Sequence, residues 1–164
     1  MQQKREIETV FIDANIRVSA FINPSGYPAK LIDLWIKRKF KAVISLPLIK
    51  EIKDVLKKPR LQEKYAYKDS EIEKYLTLIA SEARIVKISG DVSICRDLRD
   101  NHILEAALKG RAKYLITRDD DIKGDSDVIQ RMNRLSVKVV TVANFLKLHK
   151  VTADREITRD TEPV

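Results

Sequence analysis

The sequence predicts an α/β fold in which a central parallel sheet is covered by helices on both faces. Short apolar segments of strand length alternate along the chain with segments whose apolar residues recur at helical spacing. Strands separated by helices are typical of a parallel sheet buried between two helical layers. Four segments are predicted strands of this sheet: Val10–Ile12, Ala42–Ile44, Tyr114–Ile116 and Val137–Val140. A weaker candidate strand, Arg84–Ile88, is ended by Gly90.

Helices are predicted between and after these strands. Ser45 is a good N-cap residue, and Pro47 suits the first turn of the helix that it opens. That helix is expected to stop near Pro59, because proline breaks a helix interior. Ser70 can cap another helix. The remaining predicted helices cover Ala29–Lys39, Asp97–Leu108 and the apolar stripe from Val128 to Leu135.

Length and composition indicate one globular domain, expected over residues 1–150, with a polar C-terminal tail at 151–164. Cys95 is the single cysteine, so an internal disulfide is excluded and a reducing compartment fits; Cys95 itself reads as a core residue. The chain has no signal-peptide pattern and no apolar run near the ~18 residues that a transmembrane helix needs. These features predict a cytoplasmic protein without a membrane segment.

The charge balance favours a polyanionic partner. Lys and Arg outnumber Asp and Glu by 32 to 24, a formal net charge of +8. Such an excess promotes binding to nucleic acid through its phosphates. A surface that is simply rich in lysine would give the same count, so charge alone does not decide between the two interpretations.

Two strands deliver carboxylates to the same edge of the predicted sheet. Asp13 follows the first strand directly, and Asp119 comes two residues after Thr117, where the strand Tyr114–Ile116 ends. In open α/β sheets, ligands bind in the crevice at the carboxyl ends of the strands. A role for Asp13 as a helix N-cap is the alternative.

Two further carboxylates lie at the border of predicted apolar helix faces. Glu51 shares a face with Leu48 and Val55, and Asp100 shares one with Ile103 and Leu104. The alternative for each is an ordinary surface charge, and for Asp100 a favourable interaction with the helix dipole, with Asp97 as the N-cap. Two other glutamates, Glu73 and Glu105, lack this convergence and are expected to be surface charges.

Asp13, Glu51, Asp100 and Asp119 together suggest a metal site. Carboxylates held close together repel one another unless a cation neutralises them. The sequence has no Cys/His cluster, which argues against zinc, whereas hard oxygen ligands favour Mg²⁺ or Mn²⁺. Such ions can activate water and bind phosphate oxygens. An acidic pocket on a basic surface is therefore suited to metal-dependent hydrolysis of phosphodiesters.

The order and spacing of these segments resemble the PIN-domain ribonucleases, in particular VapC-like toxins of toxin–antitoxin pairs. The resemblance extends from about Thr9 to Leu148. Its pieces are Phe11-Ile12-Asp13-Ala14-Asn15, Ser45 with Glu51, the segment Asp97–Ala107 that contains Asp100, and Tyr114–Asp121.

The resemblance implies a PIN-like three-layer α/β/α sandwich and an endoribonuclease that uses Mg²⁺ or Mn²⁺. Asp13, Glu51, Asp100 and Asp119 match the family's metal-binding catalytic quartet, with Asp121 as an auxiliary. Asn15, Ser19 and Thr117 match polar positions that support the metal site in the family. A protein antitoxin and a homodimer are also implied. Three features depart from the family pattern: Ala14 stands where threonine is frequent, Leu98 where proline is frequent, and the triple aspartate 119–121 leaves the last ligand ambiguous.

Two other functions compete with this interpretation. A phosphohydrolase that forms a phospho-aspartate at Asp13 would want a second carboxylate two residues later, where Asn15 stands. A non-catalytic RNA-binding or partner-binding PIN-like module is the other. If RNA is the partner, basic side chains around the acidic pocket are expected to contact it; the candidates are Arg17, Lys50, Arg96, Arg99 and Arg118. His102 and His149 match no catalytic position of the family.

Overall fold

A computed structural model describes residues 7–95 and 97–149, so the predicted tail lies outside the described residues. The chain folds around a five-stranded sheet in which every pair of neighbouring strands is parallel. The sheet order is β3-β2-β1-β4-β5. The strands are β1 (Thr9–Ile12), β2 (Lys41–Ile44), β3 (Arg84–Ile85), β4 (Tyr114–Ile116) and β5 (Lys138–Val140).

Helices connect the strands and cover the sheet. The predicted three-layer α/β/α sandwich is confirmed, with α6 packed against β1, β2 and β4, and α1 packed against α2 and α3. Within the described residues, no helix is both long and apolar enough to cross a membrane. The helices are α1 (Ala14–Ile22), α2 (Tyr27–Ile36), α3 (Leu46–Leu56), α4 (Pro59–Tyr65), α5 (Asp69–Glu82), α6 (Asn101–Lys109), α7 (Asp120–Lys123), α8 (Ser126–Arg134) and α9 (142–149), and a 3₁₀ turn covers Leu98–Asp100.

The central strands form the core. Phe11 of β1 pairs with Val43 of β2 on one side and with Leu115 of β4 on the other, and all three side chains are fully buried. A strand buried on both faces needs a continuous apolar run instead of an alternating one. This is why the three central strands could be recognised in the sequence, whereas β5 lies at the edge of the sheet and is only partly buried.

The structure contains elements that the pattern did not predict. Helix α1 had no prediction because its apolar residues are interrupted by Arg17, which is itself buried. Pro59 was expected to end a helix but begins α4, where a proline at the first helical position loses no hydrogen bond. The predicted helix at 97–108 opens instead with the 3₁₀ turn. The strand predicted at 84–88 is confined to β3, at the edge of the sheet.

The strand order places a crevice between β1 and β4. After β1 the chain adds β2 and β3 on one side, and later β4 and β5 on the other. The connections therefore diverge at the carboxyl ends of β1 and β4, which is where open α/β sheets bind ligands. Asp13 and Thr117 are the first residues after these two strands.

Burial predicts a large difference between two leucines. Leu115 is 0% exposed in β4, whereas Leu135 is 54% exposed. We expect Leu115→Ala to lower the free energy of unfolding by about 2–5 kcal/mol, because it leaves a cavity between packed strands. Leu135→Ala is the matched control, with an effect within about 0.5 kcal/mol. Urea denaturation measures both; equal losses would contradict the described core.

Candidate functional site

Asp13 is buried at the carboxyl end of β1 and also caps helix α1. It is 3% exposed, and its Oδ1 accepts a hydrogen bond from the backbone N–H of Ala14 at 2.7 Å. Its Oδ2 accepts one from Oγ1 of Thr117, also at 2.7 Å. Burial raises the pKa of Asp13, and these two hydrogen bonds oppose that shift. The N-cap alternative is thus correct, and it fixes the carboxylate in the crevice.

Thr117 links the ends of the two central strands. Its hydroxyl donates to Asp13 and accepts the backbone N–H of Asp119 at 3.0 Å. The side chain is fully buried, so neither bond competes with solvent. The predicted supporting residue Thr117 therefore contacts two predicted members of the quartet.

Asp119 and Asp100 lie together on the other side of the crevice. Asp119 caps helix α7, where its Oδ1 accepts the N–H of Asp121 at 2.9 Å. Asp100 occupies the N-cap position of α6, but its side chain makes no capping hydrogen bond. Instead it shares a hydrogen bond with Asp119. A favourable interaction with the dipole of α6 therefore does not by itself explain why the carboxyl group of Asp100 points toward Asp119.

Asp97 joins this cluster although it was considered only as a helix cap. Asp97, Asp100 and Asp121 each offer a carboxylate oxygen within 4.8 Å of those of the other two. Asp97 directly precedes the 3₁₀ turn, and the N–H of Asp100 donates to its carbonyl at 3.1 Å, so these two residues, three apart, lie on the same side of the turn. The Asp-x-x-Asp spacing was the available signal, but a prediction of an α-helix from Asp97 masked it.

The crowded charges disfavour ionisation of Asp100. Burial, the charge and hydrogen bond of Asp119, and the charges of Asp97 and Asp121 raise the pKa of Asp100 to about 7. Near neutral pH the carboxyl group of Asp100 is therefore partly protonated, and its ionised form is repelled by the neighbouring carboxylates. A divalent cation relieves this repulsion, and a set of carboxylate oxygens fits Mg²⁺ or Mn²⁺.

Glu51 stands at the margin of the cluster. It is exposed on α3, yet partial burial and the charges of Asp13 and Asp119 raise its pKa. Its carboxylate is thus within electrostatic reach of the crevice but is not part of the closely spaced group of Asp97, Asp100 and Asp121.

Ser19 and Asn15, the other two predicted supporting residues on α1, have different surroundings. Ser19 accepts a hydrogen bond from Nη1 of Arg118 at 3.0 Å, which ties α1 to the segment after β4. Asn15 lies exposed in the first turn of α1. The structure therefore gives Ser19 a defined partner at the crevice, while a supporting role for Asn15 stays a prediction.

The expectation that Arg17 contacts RNA is wrong. Its side chain is fully buried; Nε donates to the carbonyl of Ile12 at 3.2 Å, and the guanidinium carbon lies 5.1 Å from the ring centre of Trp35. Burial lowers the pKa of Arg17 to about 10. The side chain therefore serves the core beneath β1. Among the other four candidates, Lys50 and Arg118 are exposed, and the side chains of Arg96 and Arg99 lie outside the described part of the chain.

Glu105 was expected to be a surface charge, and this is also wrong. It is 1% exposed, and its carboxylate accepts the backbone N–H groups of Ser89, Gly90 and Asp91 at 2.7–2.9 Å. Burial alone would raise the pKa of Glu105, but these three donors and Lys109 together lower it. The missing signal is long-range, because the donors come from a loop 14–16 residues away in the chain.

Asn101 reinforces the same loop. Its Oδ1 accepts the N–H groups of Ile94 and Cys95 at 2.9 and 2.8 Å. Asn101 and Glu105 are one helical turn apart on α6, so both point to the segment that leads to Asp97. Cys95 is buried as expected, and burial together with nearby carboxylates raises its pKa to about 12.

His102 lies near the crevice, close enough for the charge of Asp13 to act on its pKa. It is half-buried; burial lowers its pKa, against the charges of Asp13 and Glu105. His149 instead approaches Glu8, with Nε2 4.0 Å from Oε2. At neutral pH a lowered pKa leaves His102 uncharged, so it adds no fixed positive charge beside Asp13.

The buried anchor predicts a stability difference between two glutamates. Glu105→Ala removes the acceptor of three backbone N–H groups, and we expect a loss of about 2 kcal/mol or more in the free energy of unfolding. Glu73→Ala is the control, because Glu73 is 54% exposed and its ion pairs with Lys53 and Lys57, at 3.5 and 3.8 Å, lie on the surface. It should cost less than about 1 kcal/mol. Chemical denaturation at pH 7 measures both, and similar losses would contradict the anchor.

The pKa of Asp100 predicts that removing its charge stabilises the metal-free protein. The pKa is about 7 in the folded state against an ordinary 3.8, so the stability contribution of Asp100 is complete below pH 3.8 and is lost as the pH rises through 7. In EDTA at pH 8, Asp100→Asn should therefore melt above the wild type, and the difference should shrink toward pH 5.

Differential scanning fluorimetry at both pH values tests this prediction. The control is Asp54→Asn, which changes an exposed carboxylate on α3 and should leave the melting temperature nearly unchanged. A lower melting temperature for Asp100→Asn at pH 8 would instead indicate a helix-dipole role, worth about 0.3–1 kcal/mol.

Comparison with known proteins identifies the family. Residues 9–121 match the model of the PIN domain. The chain is also similar to an uncharacterised protein of Methanocaldococcus jannaschii, with 33% identity over 140 residues that cover 84% of this chain and 89% of the relative. PIN domains are generally nucleases and use divalent metals. The chain therefore belongs to the PIN-domain family, whose activity is of the nuclease type.

Proposed function

We propose that this protein is an endoribonuclease that hydrolyses RNA phosphodiester bonds with the help of Mg²⁺ or Mn²⁺. The observation that carries the proposal is the gathering of Asp13, Asp100 and Asp119, with Asp97 and Asp121, at one edge of a PIN-domain sheet. Burial and the neighbouring like charges together raise the pKa of Asp100 to about 7, and carboxyl groups perturbed in this way are concentrated at functional sites.

The carboxylates of Asp13, Asp100 and Asp119 are the proposed principal ligands, and Asp97 and Asp121 are placed to assist Asp100. When bound, the cation neutralises phosphate oxygens and lowers the pKa of the attacking water. The protein's own part is to hold these oxygens in place before substrate arrives. Thr117 and the first N–H groups of α1 and α7 do this through hydrogen bonds to Asp13 and Asp119.

Glu51 has a different proposed role. It lies outside the tight group, and partial burial followed by the charges of Asp13 and Asp119 raises its pKa. A carboxylate with a raised pKa accepts a proton more readily near neutral pH. We therefore assign Glu51 to orienting the attacking water and receiving its proton, or to holding a second ion.

The residue two positions after Asp13 disfavours the phospho-aspartate alternative. That chemistry wants a second carboxylate there, and the position is occupied by Asn15, which lies exposed in the first turn of α1. The remaining competitor is a non-catalytic RNA-binding or partner-binding PIN module, which predicts binding without metal-dependent cleavage.

We further propose that the protein is the VapC-like toxin of a toxin–antitoxin pair, acts in the cytoplasm as a homodimer, and is inhibited by a protein antitoxin. The support is the resemblance of its motifs to that branch of the family. The genomic neighbourhood tests this directly: a small reading frame adjacent to the gene should encode a protein that relieves growth inhibition when co-expressed. The absence of such a gene would favour a PIN nuclease outside toxin–antitoxin systems.

The nuclease proposal predicts that Asp100→Asn abolishes cleavage while the protein stays folded. The substitution keeps the shape of the side chain but removes a proposed ligand charge, so Mn²⁺-dependent cleavage of a fluorescent RNA should fall at least about 100-fold. RNA binding should persist or tighten, because a negative charge near the phosphates is gone. Asp54→Asn is the control and should cleave like the wild type.

Two outcomes would contradict this assignment. Cleavage retained by Asp100→Asn would remove Asp100 from the catalytic site. A wild-type protein that binds several RNAs but cleaves none of them with Mg²⁺ or Mn²⁺ would support the non-catalytic module instead.

A further inference from the structure

The edge of the sheet opposite the acidic cluster carries a concentration of exposed cations. Six basic side chains lie in the turns that enter β2, β4 and β5 or on the first residues of these strands, and each is exposed. We call this surface the basic edge; it consists of Arg38, Lys39, Lys41, Arg111, Lys113 and Lys138.

The strand register brings these residues together. Lys41 pairs with Thr9 across β1 and β2, and the N–H of Lys113 donates to the carbonyl of Thr9 at 2.8 Å. The N–H of Lys138 in turn donates to the carbonyl of Lys113 at 2.9 Å. Lys41 and Lys113 are both level with Thr9 and point to one face of the sheet, whereas Lys138 is level with Tyr114 and points to the other face. The cations therefore form a band at the end of the sheet where β2, β4 and β5 begin, with side chains on both faces.

Two of the turns keep arginine in a backbone conformation that favours glycine. Arg38 and Arg111 have φ of 60° and 54°, in the left-handed region. Both follow a helix and form the same turn, in which the next residue donates to a carbonyl five positions back: Lys39 to Leu34 at 3.0 Å and Ala112 to Ala107 at 2.9 Å. Glycine is the usual residue here. Ser136 forms the same turn after α8, with φ of 66° and Val137 donating to Met132 at 2.9 Å, so the turn itself does not select arginine. Arg38 and Arg111 are both exposed and add positive charge to the basic edge.

The charge distribution separates the two ends of the strands. Glu8 pairs with Lys113 at 2.8 Å, so one cation of the basic edge has a carboxylate partner. The other end of the sheet carries the aspartates of the crevice. Strands of three to four residues place the two ends roughly 10–13 Å apart. The basic edge can therefore attract phosphates at roughly one Debye length from the aspartates, which by themselves repel phosphates.

We propose that the basic edge binds the phosphodiester backbone of RNA outside the segment that enters the acidic crevice. This rests on the proposed function, which supplies RNA as the substrate. Long, flexible cations in a band provide charge without a defined shape, and this suits a repeating backbone whatever its sequence. The bound length of RNA would then hold the substrate against repulsion from the aspartates.

The test compares RNA affinity across salt concentrations. The parent is the full chain with Asp100→Asn, which allows binding to be measured without cleavage. The edge variant adds Lys39→Gln, Lys41→Gln and Lys138→Gln. The control variant adds Lys57→Gln, Lys64→Gln and Lys74→Gln, three exposed lysines of the α3–α5 region with the same change in charge. Fluorescence anisotropy with a labelled single-stranded RNA of about 30 nucleotides gives Kd between 50 and 300 mM KCl.

The edge variant should bind at least about 10-fold more weakly than the control at 50 mM KCl, and the slope of log K against log salt should fall by about 2, near 0.7 for each lost phosphate contact. Melting temperatures should match between the two variants. If the two variants share one affinity and one slope, the basic edge does not bind RNA, and an acidic protein would be the better partner. A cleavage assay with the wild-type protein distinguishes failure of this inference from failure of the proposed function. If the wild type cleaves RNA but the edge variant binds like the control, only the role of the basic edge is wrong. If the parent does not bind RNA and the wild type does not cleave it, the proposed nuclease function is wrong as well.

Discussion

The common direction of all five strands is the constraint on which the rest of the molecule depends. In a parallel sheet every segment that leaves a strand emerges at one edge, and every segment that enters one arrives at the other. The chain uses the first edge for Asp13 and Asp119 and the second for Lys41 and Lys138. The parallel arrangement thus separates a cluster of anions from a band of cations, which lie at opposite ends of strands of only two to four residues.

The acidic edge is held together by hydrogen bonds that do not neutralise it. Thr117 and the N-termini of α1 and α7 fix Asp13 and Asp119, but burial and the charges of Asp119 and Asp97 still raise the pKa of Asp100 to about 7. In the metal-free protein the carboxylates of the crevice therefore repel one another, and packing of the hydrophobic core has to offset this loss of stability. Buried Leu115, Ile116 and their neighbours provide that core directly beneath the site.

The sequence predicts well what is encoded locally and poorly what depends on distant partners. Continuous apolar runs identified the central strands, and the aspartates that follow two of them were placed correctly at the crevice. Glu105 and Arg17 could not be assigned, because a charged residue reveals its burial only through partners far along the chain. Asp97 was missed for a local reason, since the choice between an α-helix and a 3₁₀ turn decides where it points.

The central claim is that the carboxylates of the crevice bind a divalent cation, and anomalous diffraction from crystals grown with Mn²⁺ tests it most directly. The account predicts a manganese peak about 2.0–2.3 Å from a carboxylate oxygen of Asp100, with Asp119, Asp13 or Asp97 completing the oxygen ligands. Protein without a peak in this crevice at millimolar Mn²⁺, or with manganese bound only away from Asp100, would contradict the claim.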